Sequence, residues 1–164
     1  MADPPPDSLP NSPPPELRVF VYGTLKPGEC NHLAYCGGRV AWSQGAKIRG
    51  ALYGLPLGYP GLAPGEGWVE GVLLGLQPRG LGDSLGAILA DLDSLEDFDP
   101  HRDPQENLYD RQQHPIYTLG GEPLGLAWVY TLGHDRIEGL GGWFLPQGVW
   151  RGDAITPYPP TPSP

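Results

Sequence analysis

The chain has 164 residues, enough for one domain with a real core and too few to expect two. Ten Lys and Arg against 19 Asp and Glu give a formal net charge of −9. This charge argues against a nucleic-acid partner, which needs clustered Lys and Arg to displace counterions, and against an anionic membrane surface. No apolar stretch approaches the ~18 residues of a membrane span, and the N-terminus has neither the basic n-region nor the apolar h-region of a signal peptide. Cys30 and Cys36 read as two reduced thiols in a cytoplasmic protein. Seven of the first 15 residues and five of the last eight are Pro. Such segments cannot bury enough apolar surface to offset chain entropy, so residues 1–16 and 156–164 are expected to be flexible tails around a single domain at 17–155.

In chain order, Arg18–Tyr22 is β-branched and aromatic and predicts a short strand. It stops at the turn residues Gly23 to Gly28. Asn31–Cys36 predicts one helical turn. Val40–Leu55 holds two strand-like runs separated by Gly45, and Tyr59–Gly67 reads as a loop. In Trp68–Leu76 a period of two puts Trp68, Val72, Leu74 and Leu76 on one face, with Glu70 as the polar exception, which predicts a half-buried strand. Leu85, Ile88, Leu89, Leu92 and Leu95 recur at helical spacing, with Asp83 as the expected N-cap and Pro100 as the stop. Tyr109–Thr118 and Leu124–Leu132 predict two strands joined at Gly120-Gly121. The Gly- and Trp-rich residues 133–153 carry no clear pattern. Five or more strands with one main helix give a mainly β, α+β domain.

One acid stands out on this helix. On a wheel of about 100° per residue, Glu96 lies only about 45° from the mean direction of the leucine stripe. Asp91 and Asp93 lie at the border, and Asp97 about 145° away. Asp97 can therefore be solvated, while Glu96 is aimed at the interior. A desolvated carboxyl has its pKa pushed upward, toward the range in which it can take and return protons near neutral pH. The structural alternative is that Glu96 sits at a frayed helix end and bends out to water.

Val21-Tyr22-Gly23-Thr24-Leu25 is the second notable feature. A Gly-containing turn at a strand end leaves backbone N–H groups without ladder partners. Grouped in this way they make a cradle for an anion or an oxyanion. The run Val19 to Glu29 resembles the opening signature of the γ-glutamylcyclotransferase-like family, with its γ-glutamylamine cyclotransferase and AIG2-like branches. The resemblance continues through Gly50-Ala51-Leu52-Tyr53, Tyr59-Pro60-Gly61-Leu62, Val69-Glu70-Gly71-Val72, Leu92-Asp93-Ser94-Leu95-Glu96, Tyr109-Asp110-Arg111 and Ala127-Trp128-Val129-Tyr130. It thus covers about Val19 to Tyr130 and leaves both tails and Gly133–Gly142 outside.

This resemblance implies a small mixed β-barrel with one main helix. It implies catalysis by one acid, Glu96, and a substrate held by the backbone of Tyr22, Gly23, Thr24 and Leu25. A late-strand tyrosine lines the family's cavity, for which Tyr130 is the nearer match and Tyr117 the rival. The implied reaction turns a γ-glutamyl amine or peptide into 5-oxoproline and a free amine or amino acid, with no cofactor and no metal. The alternative is a non-catalytic binder with the same fold. Asp97 stands where many members have Gly, and residues 99–107 form a long bridge to Tyr109.

Other features carry less. His32, His101, His114 and His134 lack ligand spacing. Asp97, Asp99 and Asp103 are arranged like a calcium loop, except that His101 takes a ligand slot and no glycine follows, so a solvated loop is expected. Trp42, Trp68, Trp128, Trp143 and Trp150 are expected to serve the core.

Overall fold

The computed structural model describes residues 15–152. Of the two expected tails, residues 1–14 and 156–164 lie outside the described residues. Glu16 is the last residue of the first tail, and its carboxylate accepts the Trp42 indole N–H at 2.8 Å.

Five strands close a barrel. In chain order they are β1 (Leu17–Val21), β2 (Val40–Gly54), β3 (Pro60–Leu76), β4 (Asp110–Thr118) and β5 (Pro123–Thr131). β1 pairs antiparallel with β3, from Leu17 opposite Leu76 to Val21 opposite Val72. β3 pairs with β2, β2 with β4 and β4 with β5. The ring closes through the parallel β5–β1 pairing at Trp128 opposite Val19. That parallel pair makes the barrel mixed. A two-residue strand, β6 (Trp143–Phe144), adds to the outer edge of β2. Among the described residues the α-helices are α1 (His32–Cys36), α2 (Leu85–Leu95) and α3 (His134–Gly139), with a 3-10 turn at Pro104–Glu106.

Side-chain alternation along the strands builds two cores. Phe20, Ile48, Leu52, Leu62, Leu73, Ile116 and Val129 come from all five strands and fill the barrel interior. The opposite faces of β1 and β3, with Val19, Val21, Leu74 and Leu76, pack instead with Ile88 and Leu92 of α2. Successive side chains point to opposite faces, so a strand covered on both sides reads as a continuous apolar run. This corrects the half-buried strand expected at Trp68–Leu76, since both Leu73 and Leu74 are 0% exposed.

Two further expectations fail for related reasons. β2 is one strand rather than two, because its pairing with β3 runs straight through Gly45 opposite Val72. Residues 60–67 are strand rather than loop, with Gly54, Tyr53 and Leu52 of β2 opposite Pro60, Gly61 and Leu62. Pro60 is the first residue of its strand, a place where a missing N–H is tolerated. Gly61 is there for space: a Cβ on it would come within 2.6 Å of Leu132 Cδ1.

The N-cap of α2 is Ser84, whose Oγ accepts the Ala87 amide at 3.0 Å, and not Asp83. Asp83 is drawn away by Arg39, which reaches both its carboxylate oxygens at 2.9 and 3.0 Å and is itself only 3% exposed. The Arg39 hydrogen bonds, with the backbone donors of Arg79 and Ser84, hold the Asp83 carboxyl well below the usual carboxylate range. Past β6 the chain crosses back over the first turn. Gly148 O accepts the Glu70 amide, Lys26 Nζ donates to Trp150 O, and the Gly152 amide donates to Glu29 Oε2. Cys30 is exposed, Cys36 buried, and both are free thiols.

Candidate active site

The turn after β1 is held from within. Lys26 N donates to Gly23 O at 3.0 Å, Asn31 N to Thr24 O at 2.9 Å, and Asn31 Nδ2 to Thr24 Oγ1 at 2.9 Å. The amides of Gly23, Thr24 and Leu25 have no protein acceptor among the described residues. They remain as donors for something outside the protein, the property sought in an oxyanion or carboxylate cradle.

The C-terminus of α2 places the acid. Glu96 is the C-cap, its N–H bonded to Leu92 O at 3.0 Å. Asp97 follows at φ +53°, the only non-glycine residue in the left-handed region among the described residues. Its N–H donates to Ser94 O at 3.3 Å and that of Phe98 to Asp93 O at 2.9 Å, the pair of bonds of a Schellman cap. Arg102 then fastens Asp97 through its carbonyl at 2.9 Å and its carboxylate at 3.0 Å. Asn107, 6% exposed, accepts from the Asp99 amide and from Arg102 Nε and so ties down the bridge to β4. The cap turns the chain while leaving Glu96 on the inner side, and the exposed Asp97 points away.

Turn and acid meet across a cavity of about 100 Å³, lined by Tyr22 to Leu25, Asn31, Tyr59, Pro60, Glu96, Tyr109 and Tyr130, among others. A water takes roughly 10–15 Å³ on this measure, so the space admits the head of a small molecule. Glu96 is half-buried, and desolvation pushes its carboxyl up to about 7. Tyr22, Tyr109 and Tyr130 are buried, with Tyr59 partly so. Burial is the main cause raising all four phenols above their ordinary range, and the Glu96 charge adds to it in each.

The cavity thus brings together Glu96, the Tyr22–Leu25 turn and Tyr130. Tyr117 does not line it, and packs edge-on against Trp68 at 5.4 Å. Tyr59, Tyr109 and Asn31 line the cavity without having been singled out for it. Tyr59 and Tyr109 lay inside matched segments, next to the more conspicuous Pro60-Gly61 and Asp110-Arg111. Asn31 carried no signal, because its role depends on how the turn folds back.

A small closed mixed barrel with a desolvated acid at a helix end, facing a donor-rich strand turn, defines a class of enzyme site. A family model described as γ-glutamyl cyclotransferase, AIG2-like, matches residues 19–152. The γ-L-glutamyl-butirosin B γ-glutamyl cyclotransferase of Niallia circulans is 34% identical over 114 residues, covering 70% of this chain and 67% of that protein. An AIG2-like protein from Mus musculus has a similar structure, with TM-score 0.58 at 20% identity over 85% of this chain and 91% of the other. YkqA from Bacillus subtilis gives 0.56 at 20% identity, over 82% of this chain and only 39% of YkqA. These two structures bear on the fold alone. The chain belongs to the γ-glutamyl cyclotransferase, AIG2-like family, a family of cyclotransferase enzymes. The match also extends past Tyr130 to residue 152, so residues 133–142 lie within it, contrary to the narrower span read from motifs.

Proposed function

We propose that the protein converts a γ-glutamyl amine or γ-glutamyl peptide into 5-oxoproline and the free amine or amino acid, with Glu96 as the single acid/base. The observation that carries this reading is the Glu96 carboxyl, held at about 7 on the same cavity as the Tyr22–Leu25 turn. In such a substrate the α-amine is already tethered to the γ-carbonyl it attacks, so ring closure needs no covalent residue on the enzyme. Glu96 takes a proton from the α-ammonium. The amine nitrogen bonds to the γ-carbon and a tetrahedral oxyanion forms, which the Gly23–Leu25 amides can stabilise. The bond between the γ-carbon and the leaving nitrogen then breaks as Glu96 returns the proton to that nitrogen, and the regenerated carboxylate takes the second proton from the ring nitrogen and passes it to the freed amine or to water, leaving neutral lactam. A carboxyl poised near neutral pH can do both.

The same amides suit the substrate's α-carboxylate, and how the two anionic groups divide them sets the binding pose. The exposed thiol of Cys30 is in keeping with a reducing, cytoplasmic setting. No helix among the described residues is long and apolar enough to cross a membrane. The test is a screen of γ-glutamyl amines, amino acids and peptides with detection of 5-oxoproline. Release from at least one compound is expected, and release from none overturns the reading.

A further inference from the structure

Three tyrosine hydroxyls near Glu96 have their protons spoken for. Tyr22 Oη donates to Tyr130 O at 2.5 Å and accepts the Leu62 amide at 3.2 Å. Tyr109 Oη donates to Pro60 O at 2.5 Å. Tyr130 Oη donates to Asp93 Oδ1 at 2.7 Å. A backbone carbonyl has no proton to give, so the direction of the first two bonds is fixed. The third is fixed by Arg111, whose Nε lies 2.8 Å from the same Asp93 oxygen as an ion pair, without the alignment of a hydrogen bond. Both side chains of that pair are largely buried, at 11% and 14% exposure, and Arg111 is stacked over Trp128 at 4.4 Å and Phe98 at 5.1 Å. Asp93 therefore stays an acceptor. A phenol whose proton is committed offers only lone pairs to whatever enters the cavity.

We propose that Asp93 is a positioning residue: by keeping the Tyr130 proton turned away from the cavity, it makes Tyr130 and Tyr109, beside Glu96, a set of acceptors that selects the substrate's α-ammonium group. The inference rests on the reaction proposed above and adds what orients the nucleophile. A cationic N–H donor finds acceptors on this wall, at Tyr130 and Tyr109, whereas a carboxylate or carbonyl finds no donor on either phenol and is left to the amides of the first turn and to the Tyr59 hydroxyl, which also lines the cavity. Were the Tyr130 hydroxyl free to rotate, it could donate into the cavity, and the wall would lose this discrimination.

The test uses two competitive ligands of the full chain, L-glutamine and glutaramate, which is L-glutamine without its α-amine. Their inhibition constants are measured against the best γ-glutamyl substrate. The wild type is expected to favour L-glutamine. Tyr130→Phe leaves the Asp93–Arg111 pair in place and removes only the hydroxyl. It should cut that preference by about tenfold, the scale of one hydrogen bond to a charged group, with glutaramate binding unchanged. Asp93→Leu with Arg111→Met keeps the hydroxyl and frees its proton, without stranding a buried charge. It should lower the preference at least as much, with glutaramate binding equal or tighter. If the double variant does not fold, Tyr130→Phe decides alone. Equal weakening of both ligands in Tyr130→Phe means a structural role only and overturns the inference, as does an unchanged preference. Absence of 5-oxoproline from every γ-glutamyl compound overturns the inference together with the reaction. Release of 5-oxoproline with the preference intact in Tyr130→Phe overturns the inference alone.

Discussion

A carboxyl held at about 7, against an ordinary 4.5, makes the folded protein keep a proton that the unfolded chain has already released. Between those two values the native state binds more protons, so its stability falls as pH rises through the window. Below 4.5 both states are protonated and burial of Glu96 costs little; above about 7 the full cost of the desolvated charge is present. Glu96→Gln lacks this dependence. Its melting temperature should match the wild type near pH 4.5 and exceed it near pH 8, by roughly 1–3 kcal/mol in stability. A thermal-melt series across pH checks this, and a difference that stays constant with pH refutes it. Under the proposed reaction the same titration governs activity. As a base Glu96 must be ionised, so kcat/KM should rise with pH and level off above about 7. Glu96→Gln keeps the size of the side chain but cannot carry a proton, so 5-oxoproline release should fall by about 10²–10⁴ while the protein stays folded. Glu96 could be found in the sequence because an acid that breaks into a leucine stripe is visible on a wheel. Asp93 could not. On the wheel it sits at the border, and only the folded chain brings Tyr130 and Arg111 to the same oxygen.

At the level of elements, the existence of α2 is legible because five leucines and isoleucines at helical spacing have no competing interpretation, but the helix stops at Leu95, ended by the left-handed Asp97 and not by the expected Pro100. It starts one residue later than expected, since Asp83 and Ser84 are both good caps and the choice between them is made by Arg39, distant in sequence. Ser84→Ala should therefore cost about 1 kcal/mol, measurable by denaturant titration. The stretch from Pro60 to Gly67 is strand where a loop is expected, for the opposite reason. Local composition argued for a loop, and only the partner strand β2 overrides it. Gly75 shows the same effect, since its missing side chain makes room for the Trp42 indole, which a Cβ would approach within 2.2 Å. The end of α2 gives a sharper test. Asp97 occupies the left-handed cap position that glycine fills most easily, and Arg102 holds it there. Asp97→Gly removes the backbone strain and loses the one side-chain bond to Arg102, whereas Asp97→Ala loses that bond and keeps the strain. The glycine variant should be the more stable of the two by about 1 kcal/mol, with 5-oxoproline release largely retained in both. An alanine variant as stable as the glycine one would show that the backbone there relaxes at no cost.

Across the whole molecule, the site depends on both ends of the described chain. The strap at Gly148–Gly152 bonds to Glu70 and to Lys26 and Glu29 just beyond the first turn. Ending the chain after Gly152 should leave the melting temperature within a few degrees of the full chain. Ending it after Gln147 removes four hydrogen bonds, counting that of the Gly148 amide to Leu145 O, worth roughly 0.5–1.5 kcal/mol each, so a fall of about 5–15 °C is expected. Equal melting temperatures for the two truncations would show that the strap adds nothing.

Barrel closure between β1 and β5 also has a consequence for biosynthesis. Tyr22 and the Tyr130 carbonyl it holds are 108 residues apart. At ribosomal rates of about 5–20 residues per second, roughly 5–20 s separate their synthesis. Through that interval Leu17–Val21 has left the ribosome with its parallel partner still unmade, and an apolar strand with an open edge is the kind of segment that chaperones and aggregation compete for. Glu96 itself is made before β5, so a nascent chain can carry its acid, its turn and its helix and still have no closed barrel around them. The first turn is among the earliest parts of the chain to be translated and among the last to become competent.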